Sequence, residues 1–392
     1  MSDAVSCRAA DRNDTEQVKA LWSCCFDDTP SFVDWYFDRY YQPEYTTGIF
    51  HNQKLAASAQ VIPYQIQLRG ATLDCGYVVG VDTAPEARNR GYARRLLQEC
   101  LQMQRKQKQS ISLLMPFEGQ FYYRYGWPFC YFHQQIKIMP KELRCAAKPW
   151  GTIRQVALQD AVLELKRIYP IFTAAYEGWV KRTEHSWQLL MEDAALEQTV
   201  CYLIEQNGRA EGYCLWTEMK DCVFIREMAW CTENARAGLL HFLMEAVPEN
   251  RQLWLELPDD DILAWQLAVS KTSVVRYPFL MARIVDVKQC LESLEYDKNL
   301  KVTFWMMVQD EFVSWNHSVF HVVIENGTAS VQEDYTAEAD ILIAVEGLSQ
   351  LVMGARSAEK LCRQNLLQAS KDAVQMLEKI WPETSLYINE YY

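Results

Sequence analysis

Residues 81–93 read Val81-Asp82-Thr83-Ala84-Pro85-Glu86-Ala87-Arg88-Asn89-Arg90-Gly91-Tyr92-Ala93, and they decide the fold. The apolar stretch leading in, CGYVVGVDTA, predicts a strand that Pro85 stops. A helix is predicted over 91–107, with Ala93, Leu96 and Leu97 on one face. Small residues at Gly91 and Ala93 leave the unpaired N–H groups of its first turn, and its positive end, facing outward together. That combination suits a pyrophosphate. Arg88, Arg90, Arg94 and Arg95 add positive charge. Taken alone, Arg88-x-x-Gly91-x-Ala93 reads as readily as a basic turn leading into a helix.

Working outward, helices are predicted over 15–27 and 31–41, then strands over 47–70. A strand over 110–115 follows the 91–107 helix, and FYYRYGW (121–127) comes next. This α/β alternation fills roughly 140 residues, one domain's worth. A second segment repeats it, with helices over 158–176, 184–192 and 234–246 and strands within 199–216. Its helix start reads Thr232-Glu233-Asn234-Ala235-Arg236-Ala237-Gly238, which offers no phosphate cradle. A third segment begins near MARIVDV (281–287). It has strands first and helices last (347–353, 357–365 and 370–380), the order of a small α+β module.

Composition limits the classes. At 392 residues, 49% apolar and 23% charged, the chain is globular, with material for several cores. No apolar run approaches the ~18 residues a membrane helix needs, and the first residues are polar, so neither signal peptide nor anchor is expected. Thirteen cysteines without a C-x-x-C pair predict reduced thiols in a cytoplasmic protein. The six histidines show no metal-ligand spacing, and no metal is expected. A net charge of −12 argues against nucleic acid, yet residues 1–150 carry 18 Lys+Arg against 15 Asp+Glu and leave −15 to the remainder. An anionic ligand would favour the first part.

The 81–93 stretch resembles motif A of the GNAT superfamily of N-acetyltransferases. FYYRYGW resembles that superfamily's F-Y-x-x-x-G-aromatic element, with Trp127 where Tyr or Phe is frequent. PFEGQFYYRYGW, RTEHSW, MARIVDV, GLSQLVMGARSAEKL and YINEYY narrow the resemblance to the enhanced-intracellular-survival (Eis) type and extend it over nearly the whole chain. The resemblance implies two tandem GNAT-like domains, catalytic (1–145) and degenerate (146–284), followed by a sterol-carrier-protein-like α+β domain (285–392). It implies acetyl-CoA as co-substrate, a small-molecule amine or lysine as acceptor, and a homo-oligomer, hexameric in the family. Val81, Asp82 and Thr83 would lie beside the acetyl-pantetheine arm. Asn89, Arg90, Gly91, Tyr92, Ala93 and Arg94 would cradle the pyrophosphate, and Phe117 and Glu118 would flank the thioester. Tyr122 would be the general acid and the terminal carboxylate of Tyr392 the base.

The residues leave alternatives open. Tyr122 sits among Phe121, Tyr123 and Tyr125 and could be core, and a tail such as INEYY is ordinarily a frayed end. Trp22, Trp35, Tyr36 and Phe37 individually read as packing, but as a group they could wall an acceptor pocket. Asp27, Asp28, Asp34 and Asp38 beside them would favour a cation. The third segment could carry lipid or sterol, and the whole chain could bind acyl-CoA without turnover.

Overall fold

The computed structural model describes residues 5–267 and 273–391. The first segment runs β1 (Val5–Ala9), α1 (Thr15–Cys25), α2 (Pro30–Trp35), β2 (Thr46–His51), β3 (Lys54–Leu68), β4 (Ala71–Thr83), α3 (Tyr92–Lys106), β5 (Ile111–Leu114), α4 (Gly119–Tyr123) and β6 (Phe129–Ile138). The helix predicted over 31–41 begins one residue earlier. Thr29 caps the N–H of Phe32, Pro30 fills the first position, and the last turn, Tyr36–Tyr40, is widened to a π turn. α3 buries Leu96, Leu97, Cys100 and Leu101 along one face, as its periodicity predicts.

The second segment runs β7 (Thr152–Val156), α5 (Leu158–Thr173), β8 (Trp179–Val180), α6 (Glu184–Leu196), β9 (Val200–Gln206), β10 (Arg209–Glu218), β11 (Cys222–Trp230), α7 (Glu233–Ala246), β12 (Gln252–Pro258), α8 (Leu263–Gln266) and β13 (Val274–Ile284). The third runs α9 (Val287–Glu292), β14 (Val302–Gln309), β15 (Ser318–Glu325), β16 (Thr328–Glu333), β17 (Ile341–Ala344), α10 (Val345–Met353), α11 (Ala358–Arg363), β18 (Leu367–Ala369) and α12 (Lys371–Ile380). β18 interrupts the predicted run of helices by pairing with β17. No helix among the described residues is long and apolar enough to cross a membrane.

The first two segments share a sheet, and the third shares a core with the first. Thirteen strands form one sheet in the order β1-β2-β3-β4-β5-β13-β6-β12-β11-β10-β9-β7, with β8 on β3. β13 passes antiparallel between β5 (Met281↔Leu114 to Ile284↔Ile111) and β6 (Val274↔Ile136 onward). β6 in turn pairs with β12. A division at residue 145 therefore falls between strands that interleave. The third segment makes a five-stranded sheet, β16-β15-β14-β17-β18. Its inner residues Phe304, Val322, Leu348 and Trp381 lie in the same apolar core as Ile66, Tyr77 and Leu113 of the first.

All three segments meet at Arg283 on β13. Its fully buried guanidinium pairs with Asp310 of the third segment and donates to the Tyr125 carbonyl of the first. A Cβ on Gly126 (φ +91°) would lie 1.6 Å from that guanidinium, so the glycine of FYYRYGW is what lets the arginine reach its carbonyl.

Candidate active site

β4 and β5 run parallel from Cys75↔Ile111 to Val78↔Leu114 and then part. β4 continues to Thr83, and an extra residue there breaks its register with β3: Gln60 faces Val79, but Ser58 faces Asp82. A bulge of this kind turns backbone groups out of the ladder. Past Val78 the β5-facing edge of β4 therefore has room for a ligand to lie alongside as an extra strand would.

Two cavities open on this parting. The larger, about 600 Å³, is lined by Val81, Asp82, Thr83, Arg88, Asn89, Gly91, Tyr92, Ala93, Arg94 and Phe117 among the residues singled out in the sequence, and also by Cys25, Phe26, Ala87, Phe121, Arg124 and Tyr125. The second, about 320 Å³, is lined by Trp22, Phe26, Asp28, Phe32, Tyr36, Val78–Val81, Met115, Pro116, Phe117 and Tyr122. Phe26, Val81 and Phe117 border both.

The end of α3 is built for an anion. Gly91 precedes the helix with φ +76°, Asn89 has φ +63°, no side chain caps the first turn, and no acid lies in it. Arginines at a positive helix end are unfavourable unless something negative sits between them. The start of α7 in the second segment is the opposite case. Thr232 caps the N–H of Ala235, Glu233 stands in the first turn, and Arg236 is paired with Asp261.

Arg90, expected at the cradle, and Glu118, expected beside the thioester, do not line the cavities. Arg90 is exposed and donates to the Glu86 carbonyl (3.3 Å), and Glu118 accepts from the N–H of Gln120 (3.2 Å) at the start of α4. Asp82 turns its carboxylate into the bulge. Oδ1 accepts from the N–H (2.8 Å) and hydroxyl (2.7 Å) of Ser58, Oδ2 has no partner, and burial pushes the group up to about 7.

Tyr122 is buried against Phe117 and Phe121, its ring near-perpendicular to both, at centroid distances of 5.8 and 5.0 Å. Burial raises its phenol above the usual tyrosine range, so the proton is firmly held. Of the aromatic group between β1 and β2, Trp22 and Tyr36 stack at 4.7 Å and face the smaller cavity. Trp35 turns to Glu192 (3.0 Å), and Phe37 is buried in the core beside them. Asp28 accepts from the Trp22 indole (2.8 Å) at the cavity wall, whereas Asp34 is paired with Lys19.

The chain's end is docked through residue 391; Tyr392 lies outside the described residues. Ile388, Asn389 and Glu390 are buried, and the Tyr77 hydroxyl donates to the Glu390 carbonyl (3.2 Å). Tyr77 precedes Val78 and Val79 of the smaller cavity's wall. The sequence reading missed Arg283 and Asp310, although an arginine inside the apolar run MARIVDV is a signal for buried pairing. It also missed Met115 and Pro116, whose part in the cavity follows from where β5 ends.

Residues 6–130 match an acetyltransferase (GNAT) domain family, residues 178–284 a second acetyltransferase (GNAT) domain family, and residues 287–389 a sterol carrier protein domain family. Among solved structures, a probable N-acyltransferase from Enterococcus faecalis is 22% identical with a TM-score of 0.88, covering 99% of this chain and 100% of that one. A GCN5-related N-acetyltransferase from Anabaena variabilis is 20% identical (TM-score 0.88, 99% and 100%). Eis1 from Mycobacterium abscessus is 17% identical (TM-score 0.77, 99% and 100%). Identities at this level speak for the shared fold. No curated protein matches the sequence.

Proposed function

We propose that this acetyltransferase, a chain of two GNAT domains and one sterol carrier protein domain, moves an acetyl group from acetyl-CoA directly to a primary amine of a cationic small molecule or a lysine. The observation that carries this reading is the pair of cavities meeting at Phe117: one begins at an uncapped, arginine-rich helix end, and the other is walled by aromatics, Asp28 and Tyr122.

The first-turn N–H groups of α3 and Arg94 would hold the pyrophosphate, and the free edge of β4 past Val78 would hold the pantetheine arm. An alkylammonium with a pKa near ~10.4 must lose a proton before it can attack. The terminal carboxylate of Tyr392 takes that role, directly or through water, and also draws the cation in. As the new C–N bond forms and the C–S bond breaks, Tyr122 gives its proton to the departing thiolate. A phenol is a weak donor to a thiol near ~8.5, the more so where burial raises it as at Tyr122, so its part rests on standing beside the sulfur.

The sterol carrier protein domain serves as a scaffold for the tail. Its core is continuous with that of the catalytic domain, which supports a structural part over lipid carriage. A homo-oligomer follows from the family resemblance, and a cytoplasmic setting from thirteen cysteines without a C-x-x-C pair.

Thiol release from acetyl-CoA across a panel of amines tests the reading. Polyamine-like and aminoglycoside-like cations should turn over, and Tyr122→Phe should lower kcat by about 10²–10⁴-fold with acetyl-CoA affinity nearly unchanged. Acetyl-CoA binding without release on any amine would leave a non-catalytic acyl-CoA binder. An active Tyr122→Phe would move the acid elsewhere.

A further inference from the structure

The second GNAT domain repeats the parting of strands seen at the cavities. β11 and β12 run parallel from Cys222↔Gln252 to Ile225↔Leu255 and then separate. Arg226 is an extra residue at the same point, since Leu215 faces Glu227 while Trp216 faces Ile225. The first domain shows the same pair of features at Val78↔Leu114 and between Val79 and Asp82. What differs is the occupant. In the second domain the last residues of the chain touch both lips of the parting.

Asn389 donates its side-chain amide to the carbonyl of the bulged Arg226 (3.0 Å) and to Glu227 Oε2 (3.0 Å) on β11. Tyr391 donates its hydroxyl to Glu256 on β12. The Arg182 guanidinium, itself buried, forks onto Glu227 (2.9 and 2.6 Å) and reaches Glu390 (2.8 Å). The imidazole of His133 on β6 meets the Ile388 carbonyl at 2.8 Å. These contacts are charge-assisted or buried, the kind that fix geometry most firmly.

We propose that the second domain's cleft, no longer a cofactor site, is the receptor for the chain's own carboxyl-terminal segment, with Arg182 and Asn389 as the positioning residues that aim the terminal carboxylate at the amine. The catalytic half of this proposal rests on the reading that the Tyr392 carboxylate serves the acceptor. The grip itself does not. Glu390 is held by Arg182 on one side and by Tyr77 of the catalytic domain on the other, two residues from the end. The duplicated domain thereby sets the position of the tail relative to β4.

The test uses the full chain in four forms: unmodified, Arg182→Lys, Asn389→Ala, and carboxy-terminally amidated. Carboxypeptidase release of the terminal tyrosines reports the grip, steady-state turnover reports the chemistry, and calorimetry reports acetyl-CoA affinity. Losing buried hydrogen bonds to charged groups should speed tyrosine release by about tenfold or more in both variants. kcat for amines should fall by a similar factor, while acetyl-CoA affinity stays within about twofold. Asn389→Ala leaves the Arg182–Glu227 pair whole, so it stays interpretable if Arg182→Lys folds poorly. Tail release or kcat unchanged in Asn389→Ala overturns the proposal. Full activity of the amidated protein overturns the carboxylate reading and the catalytic half with it, whatever the variants do.

Discussion

At the scale of single residues, Asp82 makes the clearest demand on its surroundings. Its Oδ1 replaces the ladder contact that the β4 bulge gives up at Ser58, and its Oδ2 is buried without a partner. Burial outweighs both hydrogen bonds and raises the native group from an ordinary 3.8 to about 7. Between those values the native state holds a proton that the unfolded chain has released, so stability falls as pH rises through the window and the contribution is gone above about 7. Asp82→Asn can keep accepting both Ser58 bonds without the titration. Its melting temperature should fall less between pH 4 and 7 than that of the unaltered protein; parallel curves from thermal melts would remove Asp82 as the cause. The position of Asp82 could be read from the sequence, but its titration could not, because burial at the bulge belongs to the paired strands.

At the scale of elements, the start of α3 is incomplete without an anion. Its first turn has no capping side chain, and Arg94 and Arg95 stand at its positive end. A Cβ on Gly91 would meet nothing within 4 Å, so substitution there costs only backbone strain at φ +76°, about 1 kcal/mol for Ala. Gly91→Glu adds a negative charge where the pyrophosphate would lie. Calorimetry should find acetyl-CoA affinity modestly lowered in Gly91→Ala and abolished in Gly91→Glu, with both proteins folded by circular dichroism. Equal affinities would place the diphosphate elsewhere. α7 provides the internal contrast, since its Thr232 cap and Glu233 already satisfy the same positions.

At the scale of the molecule, neither of the first two segments completes its own sheet. β13 supplies the strand between β5 and β6, and Arg283 on it ties the FYYRYGW turn to Asp310. A fragment of residues 1–145 would leave an edge of β5 unpaired and uncover Ile111 and Leu113 of the main core. Such a fragment should aggregate or melt without cooperativity. A monomeric fragment with a cooperative melt and acetyl-CoA binding would show that the interleaving is dispensable.

The sequence by itself determined the parts whose physics is local. The strand stopped by Pro85, the glycine before α3 and the apolar face of α3 are set within a turn or two of chain. The alternation of the third segment is equally local, and so is the lack of a cradle at residues 232–238. Tertiary structure decided everything that depends on what lies opposite. It passed β13 between β5 and β6, bonded Arg90 to the Glu86 carbonyl and Glu118 to the N–H of Gln120, and widened the last turn of the 31–41 helix. It also seated the tail across β11 and β12, where Arg182, Glu227 and Glu256 come from three distant stretches. Local patterns fix which groups a segment offers; buried charge pairs and strand neighbours are chosen by desolvation and ladder pairing, which act only once distant segments meet.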